Sequence, residues 1–382
     1  MNLVKGSLQD ELDQFFSEIN DEDCDFRHVT KSAFCQARQK ISHKAFIELN
    51  DHMTEQFFQS KTSRWHGLRL LGIDGSTFRL PKTEAIADYF GRQEQGPPLA
   101  RVSFCTDTAS GVALDTIVMP YTTGEREMAI AHLKKTMAND LILYDRGYHG
   151  FFMFALHRDQ KRDFCMRMPL DQYTAITEFI DSGSVDALIT IEPTGEAKKQ
   201  CKDLHLSKKP LVLRAIRIEL STGETEVLVT SLLDHNQYPT HEFQALYHQR
   251  WSVEESIKQK KCPLEIENFT GLSVEVVLQD IYAKIFMYNL VAIARTISQK
   301  TVDEYCKGRK HRYKVNATQA LSKAKDVLIR IALLSTQKAK ILVGKFLDIL
   351  AKSIEPIREG RSYPRNHLSY KKIYHPNIKR TR

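Results

Sequence analysis

Two short apolar runs limit most what this chain can become: LRLLGID at 68–74 and NDLILYD at 139–145, each ending on an aspartate. Runs of this length and composition read as strands. Between them, RVSFCTDTASGVALDTIVM reads as two strands joined by a turn at Ala109, Ser110 and Gly111, and EREMAIAHLKKTM as an amphipathic helix. After the second aspartate, FFMFALHR reads as a helix and RDFCMRM as another strand. Strand, hairpin, helix, strand is the pattern of an α/β fold with a mixed sheet. A lone aspartate after a strand is ordinarily a turn or a helix cap. Two at neighbouring strand ends, Asp74 and Asp145, are different: they repel and raise each other's pKa, a cost tolerated when a cation lies between them.

A chain of 382 residues suits a core with an elaboration. Residues 8–60 read as two or three helices, with Thr30 as an N-cap. Their Lys31, Arg38, Lys40 and Lys44 suit DNA, or the helices are a plain cap on the next domain; no helix-turn-helix spacing stands out. From 170 to 232 the β-prone pieces SVDALITIEP, KPLVLRAIRIEL and TEVLVTSLL alternate with turn-rich PTGEAKKQCKD and STGET, which reads as a mostly β insertion returning the chain to the core. One long helix is expected over 240–262, stopped by Pro263, followed by an apolar core helix at 273–298 and two amphipathic ones at 316–334 and 336–354. The expected organisation is a helical region at 1–62 that is the candidate for DNA binding, a core at 63–170, a β-rich insertion at 171–232, the rest of the core at 233–300, and a helical region with a basic tail at 301–382. No internal repeat is visible.

Seven cysteines without a CxxC pair point away from a disulfide framework or a zinc knuckle and fit a reducing cytoplasm. No run is expected to reach the roughly 20 apolar residues of a membrane span, and the N-terminus lacks a signal peptide's apolar region, so a cytoplasmic protein is expected. The net charge of +8 is concentrated at the end of the chain, where residues 358–382 hold eight Lys or Arg against Glu359. Such a tail, with three tyrosines among its cations, suits phosphate backbones, or is simply a solvated tail.

The stretch YHQRWSVEESIKQKKC at 247–262 supplies a third acid. At about 100° per residue, with Tyr247 at zero, Arg250, Glu254 and Lys261 fall near 300°, 340° and 320°, one stripe about 60° wide. Leu246, Val253 and Ile257 lie beside it at roughly 240° to 280°, so the helix can dock by that edge with Glu254 aimed at the two aspartates, while Glu255 near 80° turns away. The alternative is an exposed helix carrying pairs such as Glu254 with Lys258. Three carboxylates without His or Cys suit Mg²⁺ or Mn²⁺. Two such ions roughly 4 Å apart serve an in-line displacement on a nucleic-acid phosphodiester, with Arg250 and Lys261 holding phosphates.

The spacing Y-(2)-R-(3)-E-(6)-K of Tyr247, Arg250, Glu254 and Lys261 resembles, without a gap, the signature of the insertion-sequence-four group of bacterial DDE transposases. IDGSTFRLP around Asp74 and YDRGYHGF around Asp145 resemble that group's other two motifs, and the likeness runs from about Phe34 to the last long helix. The resemblance implies a ribonuclease-H-like core with a β-stranded insertion between Asp145 and Glu254. It implies catalytic, metal-holding Asp74, Asp145 and Glu254, two Mg²⁺ ions for which Mn²⁺ can substitute, and DNA contacts from Tyr247, Arg250, Trp251, Lys258, Lys261 and Arg146. The activity implied is cut-and-paste transposition: hydrolysis at the inverted terminal repeats, a hairpin, and strand transfer to target DNA by a homodimer. A repressor remnant that only binds DNA, and a nuclease without strand transfer, are the other readings. Some relatives hold a flipped base with a tryptophan of the insertion; here both tryptophans, Trp65 and Trp251, lie outside it, leaving aromatics such as Tyr173 and Phe179.

Overall fold

The computed structural model describes residues 7–20, 22, 26–59, 64–94, 96–220 and 223–358, with 325, 326 and 332 described by main chain alone. Apart from Arg358, the basic tail lies outside the described residues. Three helices open the chain, α1 (Leu8–Asn20), α2 (Lys31–Arg38) and α3 (Lys44–Gln59). Then come β1 (Arg69–Arg79), α4 (Glu84–Phe90), β2 (Leu99–Asp107) and β3 (Ala113–Pro120). These lead into α5 (Glu125–His132), β4 (Asp140–Tyr144), α6 (Phe151–Gln160) and β5 (Asp163–Met168). The next stretch holds α7 (Thr174–Asp181), β6 (Asp186–Ile191), α8 (Gly195–Asp203), β7 (Leu211–Glu219) and β8 (Thr225–Thr230). The rest comprises α9 (Phe243–His248), α10 (Trp251–Lys261), α11 (Val274–Tyr305), β9 (Tyr313–Val315), α12 (Ala317–Leu333), α13 (Thr336–Lys352) and β10 (Ile354–Pro356).

The chain falls into two compact units. One, Phe58–Thr77 with Arg101–Ser256, holds nearly all of a mixed eight-stranded sheet of order β3-β2-β1-β4-β5-β8-β7-β6. β4 runs parallel to β1 and β5 parallel to β4, whereas β8, β7 and β6 add on antiparallel. This is a mixed α/β arrangement, extended beyond β5 by three strands. Alternation along the strands builds a core on each face. Leu71, Ile73, Tyr144 and Met166 pack with α5 to α8, and Leu70, Leu143 and Cys165 pack with Phe243 and Leu246 of α9.

The other unit, Met1–Phe57, Phe78–Ala100 and Ile257–Arg382, contains the remaining helices. α11 packs with α12, α13 and the small β9–β10 sheet. Arg38 of α2 pairs with Asp280 of α11 at 2.6 Å, and Asn50 of α3 accepts from Asn289 at 2.7 Å, so α2 and α3 are seated on α11, while α1 packs against α12.

Several expectations change. β1 does not stop at Asp74; it continues to Arg79, because β2 lies along its other side after β4, whose last partner residue is Tyr144 opposite Ile73. The helix expected over 240–262 is broken into a short turn, α9 and α10, because Arg250 and Val253 bond three residues back, to Tyr247 and Arg250, rather than four. Residues 170–232 contain two unforeseen helices. In α8, the supposed turn PTGEAKKQCKD, Thr194 caps the N-terminus by accepting from the Ala197 N–H, and Ala197 and Cys201 are buried. Finally, α11 is long and apolar enough to cross a membrane, contrary to expectation, yet 72% of its most apolar window is buried inside the protein. A helix surrounded by others in a core is apolar on every side for that reason.

Candidate active site

The pleat of β1 decides where the first acid points. Leu71 and Ile73 belong to one face, so Gly72 and Asp74 look to the other. There, a Cβ on Gly72 would come within 2.3 Å of the Val253 Cγ2 on α10. Hydrogen in place of a side chain is therefore what lets α10 lie close against the strand, with Glu254 next to Val253. Burial of Leu246, Val253 and Ile257, all below 9% exposed, matches the apolar edge expected of the signature stretch, and Glu255 is exposed.

Two of the acids, Asp74 and Glu254, flank one guanidinium, and the third feels its charge. Arg250, only 3% exposed, places Nη1 3.9 Å from Asp74 Oδ2 and donates from Nη2 to Glu254 Oε1 at 2.8 Å. Asp145, directly after β4, lies within the same electrostatic neighbourhood. Arg167 of β5 grips Asp145 at 2.8 Å and Glu226 of β8 at 2.6 Å, a bridge that no spacing in the sequence foretells. An arginine inside the apolar run FCMRM is its only trace there. Burial pushes the Asp74 carboxyl up to about 6, against the lowering effects of the Gly75 N–H and Arg250, with Glu254 and Asp145 adding to the rise. Burial also acts to raise Asp145, but the Arg146 N–H, Arg250 and Arg167 outweigh it and hold it below the ordinary carboxylate range.

The other expected site residues are placed less uniformly. Tyr247 is buried at 5%, and its hydroxyl donates to the Tyr144 carbonyl at 3.1 Å, tying α9 to the residue before Asp145. Trp251 is 43% exposed, with the Arg250 guanidinium 5.5 Å from its ring centre. Both line a cavity of about 580 Å³ with Arg167, Glu226 and His241. Arg146 is exposed in a short 3-10 turn. Lys258 and Lys261 lie past the unit boundary at Ile257; Lys258 is exposed, and Lys261 stands 4.0 Å from Glu267 and 5.2 Å from the Phe78 ring centre. Phe179 is not available to a base, since it is part of the core at 4% exposure, and Tyr173 packs against the same core.

The donor set suits a hard divalent cation: three carboxylates and no nitrogen or sulfur ligand. Two polar atoms at the acids, Arg250 Nε and the Tyr148 hydroxyl, are buried without a hydrogen-bond partner among the described residues. Asp74 and Glu254 nevertheless flank Arg250 rather than close on one another. Among the described residues, no group of three acidic, His or Cys side chains is close enough as it stands to hold an ion.

Comparison with known proteins bears on this arrangement. A family model described as a transposase DDE domain matches residues 65–290, more than half of the chain and all three acids. The transposase InsG for insertion sequence element IS4 of Escherichia coli (strain K12) is 26% identical over 276 residues, 69% of this chain. The match spans 60% of that relative's own length. A piggyBac transposase in a synaptic complex with hairpin DNA aligns over 87% of this chain and 66% of its own at a TM-score of 0.43 and 11% identity. The breadth of the domain match decides the family: the chain belongs to the DDE-domain transposases.

Proposed function

We propose that the chain is a metal-dependent DNA transposase working by cut and paste. It hydrolyses phosphodiester bonds at inverted terminal repeats, passes through a hairpin on the flank, and joins the freed ends to target DNA as a homodimer. The observation that carries this reading is that Asp74 and Glu254, from separate elements, flank the buried Arg250, whose charge also lowers Asp145.

Asp74, Asp145 and Glu254 are the residues that hold divalent ions, Mg²⁺ or in its place Mn²⁺, in this reading. Bound there, two such ions supply activation of the attacking oxygen and stabilisation of the leaving one. The rest belongs to the chain's own groups. Arg250 neutralises the acids and is the side chain for which an incoming phosphate competes, since a guanidinium pairs bidentately with either anion. Arg167, anchored by Glu226, fixes the Asp145 carboxylate in direction. Tyr247 holds the main chain ahead of Asp145. Exposed Trp251 offers a face on which a distorted base stacks, and Arg146, Lys258 and Lys261 offer charge to the backbone.

The test is cleavage of a terminal-repeat duplex with Mg²⁺ by Asp74→Asn, Asp145→Asn and Glu254→Gln. Each is expected to lose more than about a thousandfold in rate while still shifting end DNA in a gel. Normal cutting by any one removes that acid from the site. A wild-type chain that shifts end DNA but nicks it with neither Mg²⁺ nor Mn²⁺ is a repressor; one that cuts but never joins ends to a plasmid is a nuclease.

A further inference from the structure

Several strands of the sheet begin at the same end, β1 among them, and a pair of basic residues leads into three of these, β4, β5 and β7. β4 and β5 share one direction, and two antiparallel steps through β8 return β7 to it. Lys134 and Lys135 precede β4, Lys161 and Arg162 precede β5, and Lys208 and Lys209 precede β7. All five lysines are exposed. Arg162 works inward instead, donating to the Thr136 and Gln160 carbonyls and so fixing the start of β5 to the turn that carries Lys134 and Lys135. α8 packs on α6 and adds exposed Lys198, Lys199 and Lys202 on the way to β7. Acids at this end are fewer than the lysines: Asp159, Glu192, Glu196, Asp203 and Asp234 are exposed, while Asp163 accepts from Ser231 and Asp140 is paired with Arg69.

The sheet sets the dimensions. With strands about 4.8 Å apart, the starts of β4 and β7, three steps apart in the order β4-β5-β8-β7, span roughly 14 Å. Asp145 follows the opposite end of β4, five residues or about 17 Å from that strand's start. A cation row so placed takes no part in gripping the phosphate at the carboxylates. Duplex DNA carries one negative charge per about 1.7 Å of its axis, so 14 Å of it presents on the order of eight charges to such a row.

We propose that this basic end of the sheet docks a second stretch of duplex DNA, apart from the strand at the carboxylates, through its phosphates. The proposal rests on the reading that the chain acts on DNA. Lysines are point charges without the fork that reads base edges, so the contact is independent of sequence.

The experiment uses the full chain with Lys134, Lys135, Lys161, Lys208 and Lys209 all changed to Gln. Affinity for a duplex of about 30 base pairs without terminal repeats is measured by anisotropy across a KCl series. At about 0.9 per phosphate contact, the slope of log affinity against log salt is expected to fall by about four to five. Cleavage of a short oligonucleotide carrying the end stays at the wild-type rate, because none of the five touches the acids. A slope equal to wild type overturns the proposal, as does a wild-type chain that does not bind the duplex. Should the fivefold variant melt early, Lys208→Gln with Lys209→Gln decides alone: a slope reduced by about two supports the docking surface, and an unchanged one overturns it. Normal cutting by Asp145→Asn sinks the reading of the carboxylate site while leaving this slope as it is, so the two failures are distinct.

Discussion

Gly72 shows how much one hydrogen atom controls. Its missing Cβ leaves room for Val253, and Val253 sits beside Glu254 on α10. Gly72→Ala is expected to cost about 1–3 kcal/mol in a denaturant melt through overpacking. It is also expected to lose end cleavage out of proportion to that cost, because α10 must shift and takes Glu254 with it. His157 makes a prediction of another kind. It is fully buried; the neutral tautomer that satisfies both neighbours donates from Nδ1 to the Arg162 carbonyl and accepts at Nε2 from the Tyr144 hydroxyl. Burial lowers its pKa to about 4, with the nearby Arg162 charge in the same direction. The unfolded chain binds a proton near 6.5 and the folded chain only near 4. Stability is therefore full above pH 6.5 and falls as pH drops from 6.5 to 4, by on the order of 3 kcal/mol. His157→Gln should show a flatter pH dependence across that window in thermal melts. Neither residue was marked by sequence pattern, because a clash and a desolvated ring are properties of the partners.

Among the elements, periodicity was a good guide wherever one face of a helix or strand meets a core. Leu246, Val253 and Ile257 were expected on the docking edge of the signature stretch, and all three are buried. The 100° arithmetic ignored the tightened turn at Gln249–Arg250, which adds rotation between Tyr247 and Glu254. That rotation suits what is found: Tyr247 turned inward to Tyr144, Glu254 half-buried beside Arg250. Propensity misled for α8, since Gly195, Glu196 and three lysines look like a solvated loop until Ala197 and Cys201 are given a core to enter. The Thr194 side-chain bond to the Ala197 N–H closes the first turn of that helix. Thr194→Ala should lower unfolding free energy by about 1 kcal/mol and leave end cleavage untouched, as measured by urea titration and a cutting assay.

At the scale of the molecule, a net charge of +8 is a statement about partners, and most of it lies in residues 358–382. Deleting those residues should flatten the salt dependence of DNA affinity by several units of slope, roughly one for each phosphate no longer neutralised; an unchanged slope makes the tail a bystander. The sequence by itself determined the α/β class, the two aspartates at apolar runs and the amphipathic stripe with its glutamate, because each is written in spacing along a few neighbouring residues. Only the tertiary structure decided that β1 runs on past Asp74, that β6 to β8 extend the same sheet, and that Arg250 and Arg167 sit among the acids. Those facts depend on which segments far apart in the chain share a sheet edge or a buried charge. Pairing of that kind is set by the total burial and electrostatic balance of the folded chain, which no local window contains.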